Sequence, residues 1–248
     1  MPTGSYVGPS DAEIRAQLID ALGKWSTFPV DNDPRPIVLL SDAFYLAGFI
    51  DVDTKKRFRR AVEVDPSLPP PVLDALRLAS TYGHGTPSPV RVVGARASDR
   101  DFATDRGVLR LPVWELEMTN TIGPGHVMSA EWQAKAWPPQ IAASRTGIQH
   151  GEASISANGL TVVFTFAGSP AVYASYPRTL VEESNHAVAI YPISQDLPDV
   201  EPGPRLQYLQ HRNVEVTLAR PLGGRVLLGF GRGPGPGPVS VTEPESTP

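Results

Sequence analysis

The sequence predicts an α+β protein, mainly an antiparallel β-sandwich with an N-terminal helical segment. Near the start of the chain, apolar residues recur every three or four positions, as they do on one face of a helix. From about residue 88 onward they alternate with polar residues, as in strands with one buried face. The 248 residues include 27 prolines and 22 glycines, and breaks this frequent are typical of short strands and turns.

The first helix is predicted over residues 11–24. Ser10 and Glu13 have the spacing of a capping box, in which each side chain satisfies a backbone donor of the other residue. The apolar residues that follow fall on one helical face: Ile14, Leu18, Ala21, Leu22 and Trp25.

The rest of the N-terminal segment, which we place at residues 1–87, is expected to be mixed. Residues 36–40 form a short apolar run that predicts a buried strand. The basic stretch at 53–63 is interpreted as a one-sided helix with a solvated face. Prolines at 69–71 suit the first turn of another helix that reaches Ala79. Residues 82–87 resemble a linker.

The antiparallel β domain is predicted over residues 88–230. Residues 101–111 read as a hairpin with Gly107 at its turn, where a positive φ costs little. Pro112 favours a sheet edge or a bulge, because proline cannot donate to a ladder. Three more hairpins are predicted, and their regular spacing favours a sandwich or barrel. They lie at 154–166 around a type I′ turn, at 179–193 and at 213–230.

Residues 231–248 are expected to form a flexible Gly/Pro-rich tail, although Val239 to Val241 suit a short strand. No apolar run approaches the roughly 18 residues that a membrane span needs. The first residues do not read as a signal peptide, so the cytoplasm is the default location. An extracytoplasmic location is the alternative if a leader has been removed.

Composition excludes several chemistries. The chain has no cysteine, so disulfides and thiolate catalysis are ruled out. Its net charge of −4 gives no reason to expect nucleic acid as a partner. None of the five histidines has metal-ligand spacing to another, and no metal or cofactor is expected. A glycine-rich phosphate loop is rejected at 229–233, because prolines follow where a helix N-terminus is needed.

Several pieces of the chain together look familiar. They resemble a group of uncharacterised, β-rich actinobacterial proteins, some of them secreted or lipid-anchored, over roughly residues 88–230. The resemblance implies the β domain and no established activity. It is carried by residues 102–107 with 111–114, by 182–184 with 187–189, and by 214–218 with 220–227.

Paired carboxylates are the candidate catalytic residues. Glu115 and Glu117 stand two apart on a predicted strand, so both project from one face. Two carboxylates at that separation can shift each other's proton affinity and work as acid and base. The alternative is an ordinary solvated sheet face.

The candidate binding residues are two aromatic and two charged side chains. Trp132 and Trp137 lie close to Pro138, and they suggest either an aromatic platform for a sugar or peptide or ordinary buried tryptophans. Asp105 and Arg106 stand at the turn of the first hairpin, where a loop is available for binding.

Three functions remain open. The leading hypothesis is a non-enzymatic binding or interaction protein that uses a sandwich face or its loops, with an unknown protein or small molecule as ligand. The first alternative is a hydrolase-type enzyme that uses Glu115 and Glu117. The second is a structural subunit of an assembly.

Overall fold

The fold was obtained as a computed structural model. It describes residues 9–40, 44–46, 63–79, 91–119, 123–137, 151–198, 209–230 and 236–242. These residues form three helices and thirteen strands, and most strand pairings are antiparallel, so the predicted α+β class is confirmed. The helices are α1 (Asp11–Lys24), α2 (Pro70–Ala79) and α3 (Ala130–Lys135).

The chain divides into two compact units. One, here the terminal unit, combines Met1–Arg35 with Ile148–Pro248, and the other, here the middle unit, is Pro36–Gly147. The segments predicted from the sequence, at 1–87, 88–230 and 231–248, have different bounds from these two units and remain predictions. Strands of the middle unit are β1 (Phe44–Leu46), β2 (Glu63–Val64), β3 (Arg91–Thr104), β4 (Gly107–Met118) and β5 (Gly125–Met128). Strands of the terminal unit are β6 (Glu152–Ile155), β7 (Thr161–Gly168), β8 (Ala174–Glu183), β9 (Ala187–Asp196), β10 (Gln210–Thr217), β11 (Val226–Phe230), β12 (Pro236–Pro238) and β13 (Ser240–Thr242).

Helix α1 begins at the predicted capping box. The backbone N–H of Glu13 donates to Ser10 Oγ at 3.3 Å, and the N–H of Ser10 donates to Glu13 Oε2 at 2.7 Å. Its apolar face is buried, as the spacing predicts, and the helix contacts β8 and β9 of the terminal unit. An ion pair between Asp11 and Arg178 joins the helix to β8 at its exposed side. The first turn of α1 is thereby joined to a strand that lies more than 160 residues later in the chain.

The terminal unit contains two four-stranded sheets, ordered β10-β7-β6-β13 and β12-β11-β9-β8. The predicted hairpins β6–β7 and β8–β9 are confirmed, although the β6–β7 connection is longer than a two-residue type I′ turn. The third predicted hairpin is wrong, because β10 pairs with β7 while β11 pairs in parallel with β9. The intervening segment crosses between the sheets and buries Leu218 and Leu222 in their common core.

Both four-stranded sheets contribute to one hydrophobic cluster, and their arrangement as a sandwich stays a prediction. Phe164 of β7 is fully buried at its centre and stacks on Phe166 with ring centroids 5.5 Å apart. Part of the expected tail belongs to this core: residues 236–242 form β12 and β13, and they bury Val239 and Val241. Burial of these apolar side chains is favourable, which explains why the segment packs into the core although prolines flank it.

The middle unit is built on a five-stranded sheet, ordered β1-β5-β4-β3-β2. Its centre is the predicted hairpin β3–β4, with Gly107 at φ 86° in the turn. Pro112 lies in the part of β4 that precedes the pairing with β5, which begins at Val113. No register shift occurs there, so Pro112 stands at a local edge rather than in a bulge.

This sheet carries a hydrophobic cluster on each face. Leu116 of β4 packs with α2 on one face, in a cluster that Trp114 and Met118 adjoin, as the predicted alternation requires. Leu111 and Val113 point to the opposite face, where they pack with Phe102 and Met128. Beyond Val113 the second face becomes polar, since Glu115 and Glu117 follow at the same two-residue period.

The remaining predictions for the N-terminal segment have mixed outcomes. The helix that ends at Ala79 is confirmed as α2. The run at 36–40 makes isolated bridges at Ile37 and Leu39 rather than a full strand, with Val38 and Leu39 buried. Most of the basic stretch at 53–63 and the whole of 82–87 lie outside the described residues.

Candidate functional site

Three polar side chains form a row across the middle-unit sheet. In the register of the strands, Arg96 of β3 stands opposite Glu115 of β4, and Glu115 stands opposite His126 of β5. Residues directly opposite each other project from the same face with their Cβ atoms about 5 Å apart. We call this surface the Arg96 face.

Arg96 and Glu115 form an ion pair at the exposed end of the Arg96 face. The arginine Nε donates to Glu115 Oε1 at 3.1 Å, and Nη2 donates to the same oxygen. The Arg96 side chain is 76% exposed and that of Glu115 27%. Among the described residues, Nη1 of Arg96 has no hydrogen-bond partner. The guanidinium therefore retains donors directed to solvent while Glu115 holds its orientation.

His126 is buried, and its ring is fixed by a second arginine. Its Nδ1 lies 2.9 Å from Nη1 of Arg100, and its ring meets Phe102 edge to face at 6.1 Å. A guanidinium only donates, so Nδ1 accepts and the imidazole proton resides on Nε2. Burial lowers the pKa of His126 to about 4, the charge of Arg100 lowers it too, and Glu115 acts in the opposite direction. The ring is therefore neutral at neutral pH.

The lowered pKa of His126 predicts a pH-dependent stability. Between about pH 4 and 6.5 the unfolded chain holds a proton on this ring that the folded chain lacks, so the free energy of unfolding falls as the pH falls through that window. Within this window, each pH unit changes the free energy of unfolding by about 1.4 kcal/mol. Solvent screens the charge of the exposed Arg100 and makes the effect smaller. We therefore expect His126→Gln to reduce the loss of unfolding free energy between pH 7 and 4.5 by about 2 kcal/mol.

Urea unfolding of the wild type and the variant at several pH values measures this effect. Other groups that titrate contribute equally to both curves and cancel in the difference. His211→Gln, which alters an exposed histidine of β10, serves as the control for the substitution itself. Parallel curves for the wild type and His126→Gln would contradict the assignment.

Glu117 lies on the same face next to Glu115 and opposite Gly94. A β-bulge between Val92 and Gly94 bends β3 here. A Cβ atom on Gly94 would come within 2.8 Å of Glu117 Oε2, so the glycine leaves room for the carboxylate to lie over β3. A cleft of about 460 Å³ opens beside Glu117, and Arg96, Glu115 and Glu117 line it together with Gly123 and Pro124.

Asp105 and Arg106, the predicted binding residues of the first hairpin turn, contact the segment at 36–40 or each other, and their role in binding stays a prediction. Asp105 is 1% exposed, and its Oδ1 accepts from the backbone N–H of Val38 at 3.2 Å. Its own N–H donates to the Val38 carbonyl at 3.0 Å, and Arg106 Nε lies 3.9 Å from its Oδ2. This pairing holds residues 36–40 against the end of the hairpin.

The two predicted tryptophans have different contacts in the middle unit. Trp132 is half-buried and packs against that cluster, with Lys135 Nζ 4.5 Å from its ring centroid. The backbone N–H of Trp137 donates to the Ile37 carbonyl at 2.8 Å, and its side chain is half-buried. The role of either residue in binding stays a prediction.

Among the described residues, no group of three or more histidine, aspartate and glutamate side chains is arranged to hold a metal ion. His186 makes a contact of 2.7 Å from Nδ1 to the Phe28 carbonyl, while His84 and His150 lie outside the described residues. No helix in the described ranges is long and apolar enough to cross a membrane.

The structure thus adds Arg96, Arg100 and His126 to the predicted pair of glutamates. An arginine or histidine on a strand carries no signal by itself, because its neighbours across the sheet depend on register. The alternation around Glu115 indicated the right face, but the pairing of β5 with β4 was needed to bring His126 there.

Comparison with known proteins finds no match for this chain among family models, curated proteins or solved structures. The resemblance noted over roughly residues 88–230 therefore stays a prediction.

Proposed function

We propose that this protein is a binding protein whose ligand presents a carboxylate or phosphate group to the exposed end of the Arg96 face. The observation that carries the proposal is the presence of two arginines on one sheet face beside a histidine held neutral. Arg96 is oriented by Glu115, and Arg100 by its contact with His126. Oriented guanidinium groups bind oxyanions through charge-assisted hydrogen bonds.

The position of these groups supports binding from solvent. The hydrophobic cluster on this face ends at Val113, and Arg96 lies beyond it. Arg100 stands opposite Leu111 of that cluster, and both arginines are exposed. A sheet face held by a long hairpin is a rigid platform, and rigid presentation lowers the entropy that a ligand must lose on binding. The neutral ring of His126 adds no positive charge that would repel either arginine.

The hydrolase alternative has less support from the same geometry. With a pKa of about 4, His126 is a weak proton acceptor at neutral pH, and its Nδ1 already faces Arg100. Glu115 is in an ion pair with Arg96. These contacts orient the groups for recognition rather than for proton transfer.

The proposal predicts weak, saturable binding of simple oxyanions. Titration of isotope-labelled protein with butyrate, and separately with inorganic phosphate, should shift amide resonances of β3, β4 and β5 around the Arg96 face. Arg96→Gln should weaken the tighter-bound probe by about tenfold, since a charge-assisted pair contributes on the order of 1.4 kcal/mol.

Arg110→Gln is a matched control. Arg110 is on the same hairpin and 68% exposed, and it is ion-paired with Asp101 on the opposite face. Its replacement should change the affinity less than about twofold, because only a screened surface pair is lost. The absence of saturable shifts, or an equal loss in both variants, would overturn the proposal.

A further inference from the structure

We infer that the ligand of this site carries a cationic amine in addition to its anionic group. The inference rests on the proposed function, since it assumes that Arg96 receives the anionic end. It adds a second recognition element, the carboxylate of Glu117, and so narrows the ligand class to short dipolar molecules with both charges, including amino acids and peptide segments.

Glu117 is available for this role because of its surroundings. It is exposed, and its carboxylate makes no hydrogen bond or ion pair with any described residue. Glu115, two residues earlier, is instead neutralised by Arg96. The two glutamates on this face are thus different: one orients an arginine, and the other presents a negative charge to the cleft.

Gly94 makes the position of Glu117 possible. A side chain at residue 94 would collide with the Glu117 carboxylate at 2.8 Å and with its Cβ at 3.3 Å. Glycine inside a strand, next to a bulge, weakens the sheet and commonly marks a place where another group approaches the backbone closely. Here it leaves the space over β3 that the Glu117 carboxylate occupies.

The spacing of the two charges fits a short ligand. Arg96 and Glu117 are diagonal neighbours across β3 and β4, which corresponds to Cα atoms roughly 7–8 Å apart. A chain of a few carbons between an amine and a carboxylate has a length comparable to this separation. The cleft of about 460 Å³ lies within the usual range for small-molecule sites.

A pair of probes with the same four-carbon chain tests the inference. Butyrate and γ-aminobutyrate differ at the far end, where the latter has an ammonium group. In the nuclear magnetic resonance titration, γ-aminobutyrate should bind about three- to fivefold more tightly than butyrate, because an added surface ion pair contributes up to about 1 kcal/mol, or about fivefold in affinity. Glu117→Gln should bring the ratio of the two affinities close to one.

Glu131→Gln, which removes another exposed carboxylate of the middle unit, should keep the wild-type ratio. If butyrate binds and γ-aminobutyrate binds no more tightly, the inference is overturned while the proposed function stands. If the ratio is unchanged in Glu117→Gln, the amine is held elsewhere and the inference is again wrong. If neither probe binds, the proposed function fails and the inference with it.

Discussion

Replacing Arg225 by methionine is expected to lower the free energy of unfolding of the terminal unit by about 3 kcal/mol or more. Arg225 is 5% exposed, and its Nη1 donates to Glu183 Oε2 at 2.7 Å. Its Nη2 donates to the carbonyls of Arg220 and Pro221 at 2.7 and 2.9 Å. Removing one partner of a buried pair leaves an uncompensated charge, at a typical cost of 3–5 kcal/mol.

Hydrogen exchange measured by mass spectrometry resolves this effect by position. Amides of β9 and β11 should exchange faster in Arg225→Met, while those of β3 and β4 in the middle unit provide an internal reference. Arg178→Met breaks an exposed ion pair with Asp11 and should cost less than about 1 kcal/mol. Adding Glu183→Gln to Arg225→Met should recover part of the loss. Equal losses in Arg178→Met and Arg225→Met would refute the account.

Phe164→Ala is expected to cost about 3–5 kcal/mol, the usual range for removing a fully buried phenylalanine. Its ring fits between two glycines, and each leaves space that a side chain would fill. A Cβ on Gly229 of β11 would lie 2.5 Å from the ring, and one on Gly151 would lie 2.6 Å from it. The two sheets therefore approach each other closely around this ring.

A double-mutant cycle tests this packing. Gly229→Ala alone should destabilise the unit by about 1–3 kcal/mol through overpacking against the ring. In the Phe164→Ala background the new methyl group has space on the ring side, so its cost should be smaller by about 1 kcal/mol. Chemical denaturation of the four proteins gives the coupling energy. A value near zero would mean that the ring and Gly229 are not in contact in solution.

Local patterns in the sequence were sufficient to predict elements whose defining contacts join residues only a few positions apart. The capping box at Ser10 predicted the start of α1, and Gly107 predicted the turn of β3–β4, because each signal involves residues only a few positions apart. Glu115 and Glu117 were placed on one face for the same reason, since alternation along a strand is local.

The pairing of strands that are far apart in the sequence could not be predicted from local patterns. The parallel pairings of β9 with β11 and of β6 with β13 have no turn between them to signal their register. The third hairpin was predicted wrongly because Gly223 and Gly224 resemble a tight turn, whereas the apolar residues around them serve a crossover between sheets. His126 was seen only as a histidine without metal-ligand spacing, and its role depends on the register of β5.

The order in which the chain is synthesised delays the burial of helix α1. Helix α1 leaves the ribosome before the strands that cover its apolar face, since β8 and β9 end only at Asp196. At typical translation rates of about 5–20 residues per second, this helix waits roughly ten to thirty seconds for them. The middle unit, whose strands are contiguous in sequence, is complete before that interval ends. The α1 segment therefore leaves Leu18 and its apolar neighbours without the strands that bury them while the chain lengthens.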